Sequence, residues 1–591
     1  VVSKFKRKFD RRLKKRRTQI VDFGSQTEAT LDRDLFGRLG KFKQVWRFVA
    51  SWLLLFALLL GCLVAQNQAL GGYYQKVSPI PGGQYVEGIR GTFTNANPLY
   101  ATSDVDSTVS HLLFAGLFTH DDQNELVGDL AESWQVDERG TTYTVRLRPN
   151  LTWQDGHKLT AADVAFTYHT IQNPDAQSPL NGSWQNITVT AVDDRIVTFK
   201  LANPLSSFIH TLTNGIVPAH ILQKVPVADL RSVDFNNIKP VGAGPFAWDA
   251  IEAHGTTPET AQIQIGLKPF NGYWKGTPKL KSFVVHAFAD EKAMIKAYKE
   301  HRLTAVAGLS QLPKELHGGD TVIYNMRLNA ATMVFFKTSS GVLSDVKVRQ
   351  ALIKATDSQA LIRQLGYSAR PVDEPLLRGQ VGYNRTYAQA PFDVKAAEQE
   401  LAAAGWHRNS HGIMVKDGQP LRFQLYANEN AEYAKVVKQL ATQWRKIGVI
   451  AEPVLQNSED FKTTLATHRY DALLHGITIG SDPDVFAYWD SSQFDVRSAN
   501  RYNFSEYKSD AADSALQAGR SRLDPALRVI KYQPFLAAWQ KDAPAIGLYQ
   551  PRYLYITRGE VFGLQEHAVN TSIDRLANVD NWMIRTARVT Q

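Results

Sequence analysis

The sequence predicts a mixed α/β body of about 500 residues held behind one N-terminal membrane-spanning helix. Three observations carry this. Segments with strand periodicity and segments with helix periodicity alternate from about residue 84 to the end, with no repeat of fixed length. The composition is that of a globular protein, 44% hydrophobic, 10% aromatic and 21% charged over 591 residues, which excludes disordered and collagen-like chains. Finally, the 18 residues from Phe48 to Ala65 carry no charge and are rich in Leu, Phe and Ala.

The N-terminal segment sets the compartment. Residues 1–47 hold 15 Lys/Arg against 5 Asp/Glu, which is the whole of the +10 formal charge; the remaining body is neutral. Anionic lipid and membrane orientation account for this tail, so no nucleic-acid partner is expected. An 18-residue helix spans about 27 Å, close to the hydrocarbon thickness of a bilayer. Basic residues flank it only on its N-terminal side, so residues 1–47 are expected in the cytoplasm, 48–66 as a single-pass anchor in the plasma membrane, and the body outside. Residues 67–83, with Gly71-Gly72 and Pro79 to Gly83, read as a linker. Two other readings also export the body. One is a cleaved signal. The other is a lipidated Cys62, because Leu59-Leu60-Gly61-Cys62 resembles a lipobox. Cys62 is the one cysteine in the chain, so no internal disulfide can form.

Within the body, Thr142 to Arg148 alternates with Tyr143, Val145 and Leu147 on one face, which predicts a half-buried strand. Trp153-Gln154-Asp155-Gly156 predicts a turn. Thr160, with Asp163 three residues later, predicts a capped helix start. Ile187–Ala191 and Ile196–Leu201 predict a hairpin around Asp193-Asp194. Val348, Leu352 and Ala355 mark another amphipathic helix; Asp393 is expected to cap a helix ending at Gly405; and Val437 to Ile447 line a helix closed by Gly448.

Catalytic signatures are missing. There is no His-Glu-x-x-His, no Gly-x-Ser-x-Gly and no phosphate-binding Gly-x4-Gly-Lys-Ser/Thr. Gly242 to Ala247 fits the loose dinucleotide pattern, but Pro245 removes a donor the pyrophosphate needs and no strand–helix unit surrounds it, so a tight turn is expected. His407 and His411 share a Gly/Asn-rich loop without a third ligand nearby. The chain is therefore not expected to be an enzyme, and neither a cofactor nor a metal site is expected.

A series of motifs carries a resemblance. In order, they are Asn97-Pro98-Leu99-Tyr100, Leu113-Phe114-Ala115-Gly116-Leu117, Asp129-Leu130-Ala131-Glu132-Ser133-Trp134, the block Leu147 to Gly156, and Leu159-Thr160-Ala161-Ala162-Asp163-Val164. Gly242-Ala243-Gly244-Pro245-Phe246, Asn271-Gly272-Tyr273-Trp274, Val348 to Leu352, Ala403-Ala404-Gly405-Trp406, Ile447-Gly448-Val449, Tyr470-Asp471 and Asp482-Pro483-Asp484 follow. Over about 84–591 the chain resembles the extracytoplasmic solute-binding proteins of the oligopeptide/dipeptide/nickel class, the substrate-binding subunits of ATP-binding-cassette importers. The resemblance implies a two-lobed, periplasmic-binding-protein-like (type II) clamp. One lobe would comprise 84–333 and the return 548–591, the other 334–547, with hinge closure about two crossover strands.

The resemblance also implies partners and a site. A peptide would be bound by strand addition to protein backbone, and the clamp, a monomer, would deliver it to permease subunits with cytoplasmic ATPases. Other solutes (a nickel chelate, an oligosaccharide, a cell-wall fragment) and a non-transport sensor or scaffold are the alternatives. In peptide binders of this family an aspartate three residues before the Asp/Glu-Pro pair often holds the peptide ammonium; here Ile479 stands there. Asp482 or Asp484 would have to replace it, or a free amino terminus is not required. The candidate cleft residues are Gly476, Ile477, Thr478, Asp482, Tyr488 and Trp489, with Asn95 and Asn97 from the other lobe; for Tyr488 and Trp489 core packing is the alternative to ligand stacking.

Overall fold

The structure is a computed structural model that describes residues 37–590 except 256, 258–260, 310 and 499–500. Most of the basic tail, including Lys4 to Arg17, lies outside the described residues. The chain divides into two units, Val1–Ser78 with Thr586–Gln591, and Pro79–Arg585.

Among the described residues of the first unit one helix runs over Gly37–Tyr74. Its apolar stretch Trp46–Gln66 is 21 residues long and has no buried part. At 1.5 Å per residue it spans about 31 Å, enough for the hydrocarbon core of a bilayer. The helix continues past the expected boundary at residue 66, where Gln66 to Ala69 are uncharged and compatible with helix, and Gly71-Gly72 does not end it. The segment expected as a linker carries helix to Tyr74, then the strand Gln75–Ile80, paired with the C-terminal strand Arg585–Thr590.

The second unit holds two main sheets. The larger has eight strands, in the order Ala568–Val569, Thr321–Leu328, Arg552–Arg558, Ala305–Ala307, Gln84–Arg90, Ser282–Phe288, Gln262–Pro269 and Phe246–His254. Near its centre Gln84–Arg90 runs parallel to both Ser282–Phe288 and Ala305–Ala307. A four-stranded antiparallel sheet, Ala131–Val136, Thr142–Leu147, Ile196–Leu201 and Ile187–Ala191, shares its core. The predicted hairpin is present with Asp193 Oδ1 accepting the Arg195 and Ile196 N–H groups. The predicted capping box holds the helix Ala161–Gln172 through Thr160 and Asp163.

The second sheet has five strands, in the order Ile450–Gln456, Arg422–Asn428, Ala472–Thr478, Ala330–Phe336 and Ala545–Tyr549. Every residue of Ala330–Phe336 is buried, because the sheet is covered on both faces. Ala331, Met333 and Phe335 enter one core and Val334 and Phe336 another, the alternation a strand imposes. The helices Val346–Lys354, Val394–Ala403 and Ala431–Lys446 pack on it, the last two followed by Gly405 and Gly448 at positive φ.

The chain passes between these sheets twice. Leu328 ends a strand of the larger sheet and Ala330 begins one of the smaller; Tyr549 and Arg552 make the reverse passage. The two passages are tied together by Leu328 N–H donating to Pro551 O at 3.1 Å. Asn329 Nδ2 donates to Asn570 Oδ1 at 2.9 Å, and Asn570 Nδ2 to Asn124 Oδ1 at 2.9 Å. The returning C-terminal segment is pinned in the first lobe by a buried pair, Arg575 with Glu87, completed by Tyr555 Oη on Glu87 at 2.5 Å and Thr108 Oγ1 on Arg575 at 2.9 Å. Two buried charges are tolerated there because each side-chain nitrogen and oxygen of the pair has a hydrogen-bond partner, Nη1 on Ser572 O among them.

The Gly242–Ala247 motif is a backbone packing device. A Cβ at Gly242 would lie 1.9 Å from Leu113 O, so only glycine fits. The Gly244 N–H donates to that same carbonyl at 2.8 Å, and Gln154 reaches both Leu113 O (3.0 Å) and Phe246 O (2.6 Å).

Candidate functional site: the seam between the lobes

The strand Ala472–Thr478 is paired along its whole length with Ala330–Phe336. On its other side the pairing with Leu425–Ala427 stops at Leu474, so His475 to Thr478 continue with no strand beside them. Gly476 is half-buried on that free edge, and a side chain there would press on the Tyr433 hydroxyl at 3.0 Å. Thr478 is exposed, and its carbonyl accepts from Tyr488 Oη at 2.8 Å. Burial, with the neighbouring Tyr502 ring, pushes the Tyr488 phenol up to about 12, so it stays a donor.

Beyond Thr478 the chain meets the first lobe. Ile479 and Gly480 N–H both donate to Asn329 O at the crossover (2.9 and 3.0 Å), and Gln380 Nε2 holds Gly480 O at 2.6 Å. Gly480 has φ +78, a conformation that favours glycine. Ser481 Oγ then sits between two imidazoles of the first lobe, 3.4 Å from His120 Nε2 and 3.3 Å from His210 Nδ1. The two rings lie face to face at 5.9 Å, and His120 Nδ1 is 3.8 Å from Asp574 Oδ1. Burial lowers the His210 pKa, so its imidazole is neutral near pH 7. Ser207 Oγ, also of the first lobe, donates to Asp484 Oδ2 at 3.1 Å.

On the first-lobe side a cavity of about 390 Å³ opens beside His120, lined among others by His111, Asp129, Trp184, Tyr273, Lys275 and Asp580. Burial depresses His111 to about 4, leaving it neutral. Burial also raises the Asp129 carboxyl, while its acceptance of Trp274 Nε1–H at 2.7 Å opposes that shift.

The sequence-predicted residues separate into two sets. Gly476, Thr478 and Tyr488 gather at the free edge. Asp482 stands near the seam, but Arg528 grips it with two bonds of 2.6 and 2.7 Å, and Arg520 holds Asp484 at 2.8 Å. Neither acid is a free ammonium anchor, which corrects the first of the two alternatives, a replacement for the acid missing at Ile479, and leaves the second, that a free amino terminus is not required. Asn97 is corrected too: it is fully buried, with Nδ2 on Asn236 Oδ1 (3.0 Å) and Oδ1 accepting Leu99 N–H (3.0 Å). Asn95 uses its Oδ1 on Asn97 N–H at 2.8 Å, a local turn bond. Ile477 and Trp489 are core residues, Trp489 packed against Phe335 and Trp539, because a large apolar side chain beside a strand end gains more from burial than from solvent. Cys62 lies within the Gly37–Tyr74 helix, exposed on its apolar stretch. His407 and His411 are exposed and, among the described residues, gather no third donor.

His120, Ser207, His210, Ser481, Arg520 and Arg528 were not found from the sequence. Ser207 and Asp484 stand 277 positions apart, and no local pattern marks such a pair.

A family model described as bacterial extracellular solute-binding proteins, family 5 Middle, matches residues 125–497. The oligopeptide-binding protein AppA of Bacillus subtilis is 26% identical over 522 residues, covering 86% of this chain and 92% of its own. The structure of that protein in complex with a nonapeptide superimposes with a TM-score of 0.69 at 25% identity, over 86% of this chain and 100% of that one. NikZ from Campylobacter jejuni in complex with Ni(L-His) gives a TM-score of 0.71 at 25% identity, over 85% and 99%.

Proposed function

Because the chain belongs to the bacterial extracellular solute-binding proteins of family 5, transport binding proteins and not enzymes, we propose that it is the membrane-anchored, peptide-capturing subunit of an ATP-binding-cassette importer. The observation that carries the peptide reading is the edge from His475 to Thr478, which no strand covers among the described residues and of which Tyr488 already holds the Thr478 carbonyl. A peptide laid along it would gain main-chain hydrogen bonds that ignore side-chain identity. AppA, similar over most of this chain, is seen with a nonapeptide. With Asp482 and Asp484 already neutralised by arginines, capture here relies on backbone pairing and the seam, not on one acid for a free amino terminus. The Gly37–Tyr74 helix anchors the body, which faces outward and stays concentrated near its permease. The lobes turn about the passages at Asn329 and Gln550-Pro551, which moves the bounds expected at 333/334 and 547/548 to 84–328 with 552–591 for one lobe and 330–549 for the other.

A second reading, a nickel chelate, is favoured by the two imidazoles of His120 and His210 that converge on Ser481. Native mass spectrometry of the full chain in detergent separates the two. Co-purified masses in the peptide range, and a rise in melting temperature with peptide pools, are expected. A ligand at a hundred times its Kd adds about 2.7 kcal/mol of stability. No peptide adduct and no shift, with a shift produced by Ni(L-His) instead, would replace the peptide reading by the chelate.

A further inference from the structure

The turn that opens with Trp153 brings metal-ligating side chains together on the first lobe, apart from the seam residues. Asp155 and His157 sit between Thr152 and Lys158, which are bridged. His220 belongs to the short helix Ala219–Leu222, 65 positions along the chain from Asp155. One ligand atom from each of the three lies within 4.8 Å of the others. Asp155 Oδ2 is 2.7 Å from His220 Nε2, and Asp155 Oδ1 is 3.2 Å from His157 Nδ1. Ligand atoms about 2.1 Å from an ion stand about 3.0 Å apart at right angles and about 3.4 Å apart in a tetrahedron, so three donors within 4.8 Å of one another are within reach of one ion after small side-chain turns.

The backbone beneath them is fixed. Asp155 Oδ1 accepts the His157 N–H at 3.1 Å, Trp153 N–H donates to His157 O at 2.8 Å, and Ala219 N–H donates to Asp163 Oδ1 at 2.9 Å. The imidazoles of His157 and His220 are stacked, centroids 4.2 Å apart and planes 25° apart. A ring nitrogen ligates in the plane of its own ring, so one ring must turn for both to reach one ion. His157 has that freedom, with its side chain 64% exposed, whereas Asp155 and His220 at 27% are held. A structural tie between Asp155 and His220 accounts for two of the three residues; His157 is the donor that makes the set a chelate.

We propose that Asp155, His157 and His220 form a surface site for a late first-row divalent ion (zinc, nickel or copper), with water completing its shell. One carboxylate and two imidazoles suit these ions over magnesium or calcium, which take oxygen ligands. The bound ion fastens the Asp155 turn to the helix at Ala219.

Zinc titration of the full chain, purified in detergent without a histidine tag, tests this by calorimetry, with copper electron paramagnetic resonance as a second readout. One equivalent is expected to bind, at least tenfold more weakly in His157→Ala and unchanged in His411→Ala. The copper spectrum should show two nitrogen ligands in the parent and one in His157→Ala. The His157 side chain is exposed, and a melt with an unchanged midpoint without metal confirms that the variant folds. Absence of stoichiometric binding, binding in His157→Ala as tight as in the parent, or binding abolished only by His120→Ala or His210→Ala would overturn the assignment.

Discussion

Glu374 is fully buried in the second lobe, where burial and the nearby Asp373 push its carboxyl up to about 8 while the Asn384 N–H pulls it back. A carboxyl whose folded pKa exceeds its unfolded value binds its proton more tightly in the folded state. Its contribution is therefore fully present below about 4.5 and is lost as the pH rises through about 8. Glu374→Gln should melt higher than the parent at pH 8.5 and close to it at pH 5; a parallel loss at both would show the carboxylate is needed charged. Residue identity alone hid such environments. Asn97 reads from the sequence as a cleft residue and Trp489 as either a cleft or a core residue, since an asparagine satisfied inside a turn and a tryptophan packed in a core have the same letters as ligand contacts.

At the scale of elements, what is local was legible and what is assembled was not. The capping box at Thr160, the hairpin around Asp193 and the helices before Gly405 and Gly448 are specified within a few residues and stand where the spacing put them. The helix runs through Gly71-Gly72 to Tyr74, because glycines mark a break only when the neighbours do not favour helix. The seam is built from chain segments hundreds of positions apart. Its contacts Ser207–Asp484 and Ser481 with His120 and His210 close the lobes on each other. Hydrogen bonds of this kind are worth about 0.5–1.5 kcal/mol each. The double variant Ser207→Ala/Ser481→Ala is expected to lower peptide affinity by about tenfold in a calorimetric titration, through loss of the closed form, while leaving the melting temperature without ligand nearly unchanged. Equal affinity would mean that the seam does not take part in closure. The long Gly37–Tyr74 helix makes its own prediction. Cys62→Ser should remain wholly in the membrane fraction, since about 31 Å of apolar helix suffices as an anchor; release of the variant would show that Cys62 carries the anchor.

The second unit is two lobes, each built on one main sheet and joined by two short passages, at Asn329 and at Gln550-Pro551, which Leu328 N–H ties together on Pro551 O. Few residues need to change conformation for the lobes to turn, which is the arrangement hinge closure uses. A ligand shifts such an equilibrium only by its preference for one form, and a peptide touching both the free edge and the first-lobe seam has that preference by geometry. The most direct test is the interlobe distance measured by paired spin labels at Val192 and Val496, exposed positions on opposite lobes, in a Cys62→Ser background. Addition of a saturating peptide pool should shorten and narrow the distance distribution; a distribution unchanged by peptide would contradict closure of the two lobes around it.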